Sequence, residues 1–342
     1  MDSYSSGRAL PVDVAAIERE LARLWKEAAE SASREGVPVT RTCLLNLVVL
    51  AEAGRNTDEI SSSLAEFYRE RPCRILLLEV DEAGRGEAVD ALVSAHCQRS
   101  REGERHVCCE QVTLRASAEG ALHLPALSAA LTASDLPVFL YLPHSPPGDA
   151  DLPARIAAGV DKVVFDGATL PPGGREDLAR RLRTRARPAL ADLEWGRLLP
   201  FRACTAAIFD SPLLQPLLDR VTAVETFGPS GCTPGARLLE GWVKCVLSGR
   251  RIGALHSANQ GSAGTSLDRL VIRAGDDESI IVERSGTAGL FSARVELPGT
   301  CPLPLRRRYP DRSVAELLCE ALDRSGEDPL FAEALRSASA GS

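Results

Sequence analysis

Short apolar runs alternate with helix-forming segments through the first half of the chain, and this alternation constrains the fold more than any other feature. The apolar runs lie at 44–50, 74–80, 107–114, 137–142 and 160–166. Helical patterns lie at 57–70, 85–101 and 122–133. Strands and helices that alternate pack as layers, because each element must bury one apolar face against another. The sequence therefore predicts an N-terminal α/β layered domain.

Two of the runs and the segment before them give more detail of this domain. Residues 75–78 are continuously apolar, which is typical of a central strand, whereas 107–114 mixes polar and apolar residues like an edge strand or a half-exposed one. From Val14 to Ala28, apolar residues recur at spacings of three and four. This pattern predicts a helix that starts after an N-cap at Asp13 and ends near Ser33.

The second half of the chain has a different pattern. An alternating strand at 221–227 is followed by a Gly/Pro loop and by a helix that begins at Thr233-Pro234. After a Gly/Ser/Asn-rich loop at 256–266, three strands are predicted at 267–273, 279–283 and 290–297, and two helices at 313–323 and 328–337. We expect an α+β domain with an antiparallel meander. The length of 342 residues fits two cores, which we place in domains 1–190 and 191–342.

Charge and composition narrow the class of partner. A net charge of −7 argues against a general attraction to nucleic acid or to an anionic membrane. No apolar run approaches the roughly 18 residues that cross a bilayer, and the first residues lack the features of a secretory signal. We therefore expect a cytoplasmic protein. The ten cysteines include no CxxC pair, so we interpret them as buried thiols that pack like small apolar residues.

One short segment, 192–210, concentrates tryptophan, arginine and acidic residues. Pro200 fits the first turn of a helix, and the following apolar face consists of Phe201, Cys204, Thr205 and Ile208. Because tryptophan and arginine dominate the binding energy of protein interfaces, we predict that this region binds a partner. The predicted partner-binding residues are Trp195, Arg197, Arg202, Asp210 and Trp242. The alternative is that both tryptophans are core residues that join helices.

Other groups of residues are weaker indications of an anion site, a metal site or a catalytic site. The loop from Gly228 to Gly235 leads into a helix N-terminus, where Ser230 and Thr233 are candidate anion ligands, although capping by Thr233 also explains the pattern. A group of possible metal ligands consists of His96, Cys97, His106, Cys108 and Cys109. Its spacing matches no known zinc-ligand pair, and adjacent cysteines on a strand point to opposite faces. With no GxSxG elbow either, we expect no metal, no cofactor and no catalytic residues.

Several motifs follow one another in an order that carries a family resemblance. They are Thr42-Cys43-Leu44-Leu45-Asn46-Leu47, Arg71-Pro72-Cys73-Arg74, Cys109-Glu110-Gln111-Val112, Asp135-Leu136-Pro137-Val138, the segment 192–210 and Leu238-Leu239-Glu240-Gly241-Trp242. This order resembles the OpcA family, the glucose-6-phosphate dehydrogenase assembly proteins. Two departures are Phe201, where the family usually has tryptophan, and Phe139-Leu140-Tyr141-Leu142, which replaces a Trp-rich run.

The resemblance implies a non-catalytic assembly factor and allosteric activator whose partner is glucose-6-phosphate dehydrogenase, in the oxidative pentose phosphate pathway. Two alternatives stay open at this point. One is an enzyme that binds or processes a sugar phosphate through the Gly228 to Gly235 loop. The other is a structural subunit with a different partner.

Overall fold

The chain divides into two compact units, each built from separate stretches of sequence. The computed structural model describes residues 2–5, 10–34, 39–41, 43–99, 106–228, 234–248, 256–261, 267–286, 289–299 and 304–339. The first unit comprises Met1–Thr169, Asp177–Leu190 and Val314–Gly326, and the second comprises Leu170–Glu176, Ala191–Ser313 and Glu327–Ser342. The division into domains 1–190 and 191–342 stays a prediction.

The helices carry labels in chain order. They are α1 (Val14–Arg34), α2 (Thr57–Glu70), α3 (Leu124–Leu131), α4 (Leu152–Ala157), α5 (Gly174–Arg185), α6 (Leu193–Arg197), α7 (Leu199–Phe209), α8 (Pro234–Val246), α9 (Val314–Asp323) and α10 (Pro329–Ser339). Among these helices none has the length and apolar character that a membrane crossing requires.

The first sheet has ten described strands. They are β1 (Asp2–Ser5), β2 (Leu10–Pro11), β3 (Val39–Arg41), β4 (Asn46–Glu52), β5 (Arg74–Asp81), β6 (Val89–Arg99), β7 (His106–Ser117), β8 (Val138–Leu142), β9 (Lys162–Phe165) and β10 (Ala189–Asp192). Their order is β1-β6-β7-β5-β4-β8-β9-β10, with β2 on β6 and β3 on β7. Strands β7, β5, β4, β8 and β9 are parallel to their neighbours in this series. The α/β class and the central position of β5 are confirmed.

Two details of this unit differ from expectation. Residues 85–101 were expected to form a helix, but β6 occupies 89–99 and pairs antiparallel with β7 along its whole length. Ala91, Val93 and Ala95 are buried on one face of β6, and strand pairing outweighs the helix preference of its alanine and leucine residues. Strand β7 lies between β6 and β5, so it is not an edge strand. Buried and more exposed residues alternate along it, which confirms the other interpretation, a half-exposed strand.

The predicted N-terminal helix is confirmed as α1. Asp13 caps it, since its Oδ1 accepts a hydrogen bond from the Ala15 amide at 2.9 Å. The predicted apolar seam is buried, and Ile17, Leu21 and Leu24 are each at most 1% exposed. Burial of this stripe against the first unit stabilises a helix that its mostly polar composition would leave marginal.

The second sheet has six described strands. They are β11 (Val221–Gly228), β12 (His256–Gly261), β13 (Arg269–Ala274), β14 (Glu278–Arg284), β15 (Leu290–Glu296) and β16 (Leu305–Arg308). Their order is β12-β11-β13-β14-β15-β16. Strands β13, β14 and β15 form the expected antiparallel meander. The stretch 256–266 was expected to be a loop, but β12 pairs in parallel with β11, because backbone pairing at a sheet edge does not require apolar side chains.

The helical segment 192–210 is confirmed as α6 and α7. The face predicted to be apolar is buried, and Phe201, Cys204, Thr205 and Ile208 are at most 7% exposed. Pro200 lies in the first turn of α7, and the helix ends at Phe209, before Pro212. This helix packs on β14 and β15, so the second sheet fixes the position of the segment.

Candidate partner-binding site

A buried ion pair fixes the beginning of the predicted partner-binding segment. Asp192 ends β10 and caps α6, since its Oδ1 accepts from the Glu194 amide at 2.9 Å. Its other oxygen lies 2.7 Å from Nε of Arg175, in the first turn of α5, and both side chains are at most 3% exposed. A buried pair of this kind is specific in geometry and costly to break on one side only. It therefore determines where α6 starts.

Trp195 lies at the centre of a cluster that also contains Arg202, Asp328 and Phe331, here called the Trp195 cluster. The Arg202 guanidinium carbon is 3.4 Å from the centroid of the indole ring, and the Phe331 ring centroid is 5.9 Å from it. Arg202 also donates a hydrogen bond to the Trp195 carbonyl at 2.9 Å. The indole N–H donates to Asp328 at 3.1 Å. Trp195 is thus 7% exposed and serves as a hub between α6, α7 and α10.

Asp328 joins the Trp195 cluster to α10. Its second oxygen accepts from the Leu330 amide at 2.9 Å and from the Phe331 amide at 3.3 Å, which is the pattern of a helix N-cap. One carboxylate therefore holds both the tryptophan and the first turn of α10. Neither contact was predictable from the segment alone, because Asp328 lies 133 residues away from Trp195 in the sequence.

An aromatic series holds the first turn of α7 against the sheet. Phe201 meets Phe291 of β15 edge-to-face at 5.2 Å, and Phe291 meets Tyr309 in the same way at 5.8 Å. Such pairs contribute about 0.5–1.5 kcal/mol each beyond their buried area. Phe201, one of the two departures noted in the sequence, thus occupies a core position in this chain.

The groups that this segment presents to solvent are few. Arg197 has 30% of its side chain exposed and lies 3.3 Å from Glu194, and Asp210 is exposed just after α7. Leu213 is 88% exposed in the turn that follows. Sequence reasoning missed Leu213, although a leucine placed directly after Ser211-Pro212 in a turn is the signal that points to it. An apolar side chain held in this way is a candidate contact for a partner.

Trp242 lies in α8 and is 7% exposed, so its burial agrees with the alternative of a core residue. Its neighbour Gly241 explains why α8 and α10 approach so closely. A Cβ atom at Gly241 would lie 2.2 Å from the carbonyl oxygen of Ala334 in α10. Only glycine fits at this crossing. A role of Trp242 in partner binding stays a prediction.

The remaining predicted sites lie partly or wholly outside the described residues. Ser230 and Thr233, the candidate anion ligands, are among the residues that the structure does not describe. The possible metal ligands fall on β6 and β7, where His96 pairs with Cys109 in register. His96 stacks on Tyr68 with ring centroids 5.3 Å apart, and burial lowers its pKa. Among described residues, no three His, Cys, Asp or Glu side chains converge as metal ligands do.

A small crevice lies at the carboxyl ends of β8 and β9, beside α2 and next to the point where the strand order of the first sheet reverses. Open α/β sheets bind ligands at such a point. The crevice has a volume of about 20 Å³, which holds roughly one water molecule. It is lined by Glu59, Ile60, Ser63, Tyr141, Pro143, His144, Asp166, Thr169 and Val314. Acidic residues occupy the first turn of α2, so its N-terminus disfavours a phosphate there.

Motifs that carry the family resemblance meet in a second polar cluster, here called the Arg74 cluster. Arg74 donates to Glu110 and to Glu18, each at 2.7 Å, and to the Leu131 carbonyl at 2.8 Å. The Trp25 indole N–H donates to the other oxygen of Glu110 at 2.6 Å. This cluster ties α1 and the end of α3 to strands β5 and β7. It is a structural network and not an exposed site.

Asn46 performs a similar structural role. Its side chain is completely buried, accepts from the Ala133 amide at 2.7 Å and donates to the Ala133 carbonyl at 3.0 Å. The backbone N–H of Asn46 donates to the Pro137 carbonyl at 2.8 Å. The motifs that contain Asn46 and Pro137 therefore fix the start of β4 beside the start of β8.

Comparison with known families identifies the family of this chain. A family model described as the glucose-6-phosphate dehydrogenase subunit N-terminal domain, of OpcA, matches residues 65–187. A second, described as the C-terminal domain of the same subunit, matches residues 188–335. The chain belongs to the OpcA family. The expectation from the order of the motifs is confirmed.

Individual OpcA relatives match parts of the chain. A protein from Nostoc punctiforme that carries the name OxPP cycle protein OpcA is 30% identical over 179 residues, which cover 52% of this chain and 38% of that protein. A protein of the same name from Synechocystis sp. is 26% identical over 230 residues, 66% of this chain and 46% of that protein. The chain thus matches 38% to 55% of the length of such relatives.

Solved structures give only a distant likeness to this OpcA member. A 3-ketoreductase from Actinomadura kijaniata is 13% identical, with a TM-score of 0.46, over 86% of this chain and 95% of that chain. A likeness at this level supports no argument about activity.

Proposed function

We propose that this OpcA-family chain is a non-catalytic assembly factor and allosteric activator of glucose-6-phosphate dehydrogenase, acting in the cytoplasm in the oxidative pentose phosphate pathway. The observation that carries the proposal is that both matching family models, over 65–187 and 188–335, are described as domains of a subunit of that enzyme. The names of the relatives, which refer to the OxPP cycle, support the same pathway.

An activator of this kind works only through a difference in affinity. It must bind the active assembly of the dehydrogenase more tightly than the inactive one, because equal binding to both states shifts no equilibrium. A coupling free energy of about 1–3 kcal/mol gives effects of about 5- to 150-fold. No catalytic group on this chain is needed for such an effect.

The proposed contact surface is the exposed side of α6, α7 and the following turn. Arg197, Asp210 and Leu213 contact the partner directly, since they are the exposed groups of this segment. Trp195, Arg202 and Trp242, which are largely buried, position that surface from beneath. An apolar side chain flanked by charged groups is the usual arrangement of an interface anchor.

The proposal is tested with the dehydrogenase from the same organism. Its steady-state kinetics are measured with and without this protein, together with the light-scattering mass of the mixture. We expect a lower KM for glucose 6-phosphate or a higher kcat, and a species that contains both proteins. No change in kinetics together with no complex at micromolar concentrations contradicts the proposal.

The contact surface is tested with a matched pair of variants. Leu213→Asp places a charge at the proposed anchor, and we expect it to weaken the complex about tenfold or more. Leu122→Asp introduces the same charge at another exposed leucine, 59% exposed in the first unit, and serves as the control. Equal affinities of the two variants place the contact elsewhere on the chain.

A further inference from the structure

Strand β16 is a basic strand at the end of the second sheet. Its sequence is Leu305-Arg306-Arg307-Arg308, and all three arginines are exposed. In the order of the described strands β16 is terminal, with β15 on one side only. Such a strand offers a row of backbone amides and carbonyls to any extended chain that lies beside it.

The strand is held firmly in place at its C-terminal end. The Tyr309 amide donates to the Gly289 carbonyl at 2.6 Å, and the Tyr309 ring packs on Phe291 at 5.8 Å. Gly289 has a positive φ of 69°, and a Cβ there would lie 2.6 Å from the Tyr309 carbonyl oxygen. Asp311 forms an ion pair with Arg284 at 3.1 Å. An edge fixed in this way loses little further entropy when a partner strand pairs with it.

The charges on the strand are not neutralised within the described residues. Arg306 and Arg308 have neither an ion pair nor a side-chain hydrogen bond there, whereas the nearby Arg294 contacts both Glu283 and Glu296. The chain as a whole carries a net charge of −7, so the charge of this basic strand is opposite in sign to the net charge of the chain. Exposed arginines grouped on one edge favour an acidic partner.

The pleat of the strand defines the pattern that such a partner needs. Side chains alternate between the two faces, so Arg306 and Arg308 share one face at a spacing of roughly 6.5–7 Å. Arg307 lies on the other face, near Cys204 of α7; burial raises the pKa of this thiol, and a hydrogen bond with Tyr309 and the charge of Arg307 oppose that rise. Acidic residues at alternate positions of an extended segment would therefore lie beside Arg306 and Arg308. The edge also adjoins α7, which belongs to the proposed contact surface.

A second copy of this chain does not fit the same edge, because two β16 strands would place arginines against arginines. Charged edge strands commonly prevent this kind of association between sheets. The same charge selects an acidic strand. We propose that β16 binds an extended acidic segment of the dehydrogenase, with carboxylates at alternate positions, as an added strand of the second sheet. This inference rests on the proposed function.

The test compares two double variants with the same change in charge. Arg306→Glu/Arg308→Glu reverses the edge, and Arg34→Glu/Arg85→Glu reverses two exposed arginines in the first unit. Binding of each to the dehydrogenase is measured by titration at low and at physiological ionic strength. We expect the edge variant to bind about tenfold or more weakly at low salt and the control to bind like the wild type. Melting temperatures of both variants that equal that of the wild type show that the variants are folded.

Hydrogen exchange of the complex locates the contact independently. Binding should slow exchange of those amides between residues 305 and 308 that point away from β15. If the wild type binds but the edge variant binds equally well and these amides stay unprotected, the inference is wrong and the proposed function stands. If the wild type forms no complex, the proposed function fails and the dehydrogenase is not the occupant of this edge.

A peptide measurement tests the chemistry of the edge without the dehydrogenase. A fluorescent octapeptide of alternating glutamate and threonine should bind the wild type and not the edge variant, while the same peptide with lysine in place of glutamate should bind neither. Binding of the glutamate peptide that is equal in wild type and edge variant, or absent at millimolar concentration, contradicts the proposed acidic strand.

Discussion

Two clusters in this chain combine tryptophan, arginine and a carboxylate, one in each compact unit, yet they are built differently. In the Arg74 cluster the guanidinium lies between two carboxylates, and the side chains of Arg74 and Glu110 are only 7% and 6% exposed. In the Trp195 cluster the guanidinium of Arg202 lies on the indole ring, whereas in both clusters a carboxylate accepts a hydrogen bond from the indole N–H. The first is an electrostatic cross-link, and the second is an aromatic hub.

The difference shows in how each arginine is stabilised. Burial alone would lower the pKa of Arg74, but the attraction of Glu110 and Glu18 raises it above its ordinary value. The Arg202 guanidinium lies over the indole ring and donates to the Trp195 carbonyl, so these contacts depend on how α6 and α7 pack. Tryptophan, arginine and an acidic residue therefore form a network of ion pairs in the first unit and a packed aromatic cluster in the second.

The largest effect is expected from removing a charge partner in the Arg74 cluster. Glu110→Ala leaves the buried guanidinium of Arg74 without its main carboxylate, and we expect the free energy of unfolding to fall by about 3–5 kcal/mol. Glu18→Ala is the control, because Glu18 is 43% exposed and should cost at most about 1 kcal/mol. Urea denaturation measures both. Equal losses would show that the Arg74 cluster is not a buried charge network.

A somewhat smaller effect is expected at the aromatic hub. Trp195→Ala should lower the free energy of unfolding by about 3 kcal/mol because it leaves a cavity beside Phe331. Trp195→Phe keeps most of the packing and loses the bond to Asp328, so we expect about 1–2 kcal/mol. Urea denaturation again gives the values. If Trp195→Phe is as harmful as Trp195→Ala, the bond to Asp328 and not packing dominates the Trp195 cluster.

Substituting methionine for each arginine sharpens the comparison further. Arg202→Met keeps an apolar chain over the indole ring, and we expect a loss of only about 1–2 kcal/mol. Arg74→Met removes the positive charge beside the buried carboxylate of Glu110, to which the Trp25 indole N–H still donates, and the loss should be at least twice as large. Thermal and urea unfolding of both variants provide the measurement, and similar losses would remove the distinction between the clusters.

The smallest effect on the free energy of unfolding is expected from the ionisation of the buried thiols, which should contribute nothing at neutral pH. Burial raises the pKa of Cys73 well above its ordinary value and the pKa of Cys109, next to Glu110, to about 11. At pH 8 only about one in a thousand thiols of such a pKa is a thiolate, against about a quarter for an ordinary thiol. Iodoacetamide should therefore label both cysteines only after unfolding in urea. Rapid labelling of the folded protein at pH 8 would contradict their burial.

Periodicity along the sequence predicted those parts of the fold in which one element packs on one neighbour. The apolar face of α7 and the seam of α1 are buried as expected, because a helix repeats its contacts every three to four residues. Periodicity failed at β6 and β12. Both are strands whose identity depends on pairing with β7 or β11, and pairing is a contact across the sequence that local preference does not encode.

The candidate site was predictable only in part for the same reason. The tryptophan and arginines of segment 192–210 predict a partner-binding surface, but in the structure Trp195 and Arg202 contact each other and Trp195 donates to Asp328. No local sequence pattern around Trp195 predicts a hydrogen bond to Asp328, which is 133 residues away in the sequence. The exposed Leu213 and the basic strand β16 are less conspicuous in sequence, and only the structure shows that they reach solvent.

The central claim is that this chain activates the dehydrogenase by preferring one of its states, and thermodynamic linkage tests that claim most directly. The dissociation constant of the complex is measured with and without saturating glucose 6-phosphate. Because coupling between two ligands is reciprocal, the account predicts that the substrate tightens binding of this chain by about 5- to 150-fold. A complex whose affinity is the same with and without the substrate would contradict a role as an activator that acts on substrate affinity.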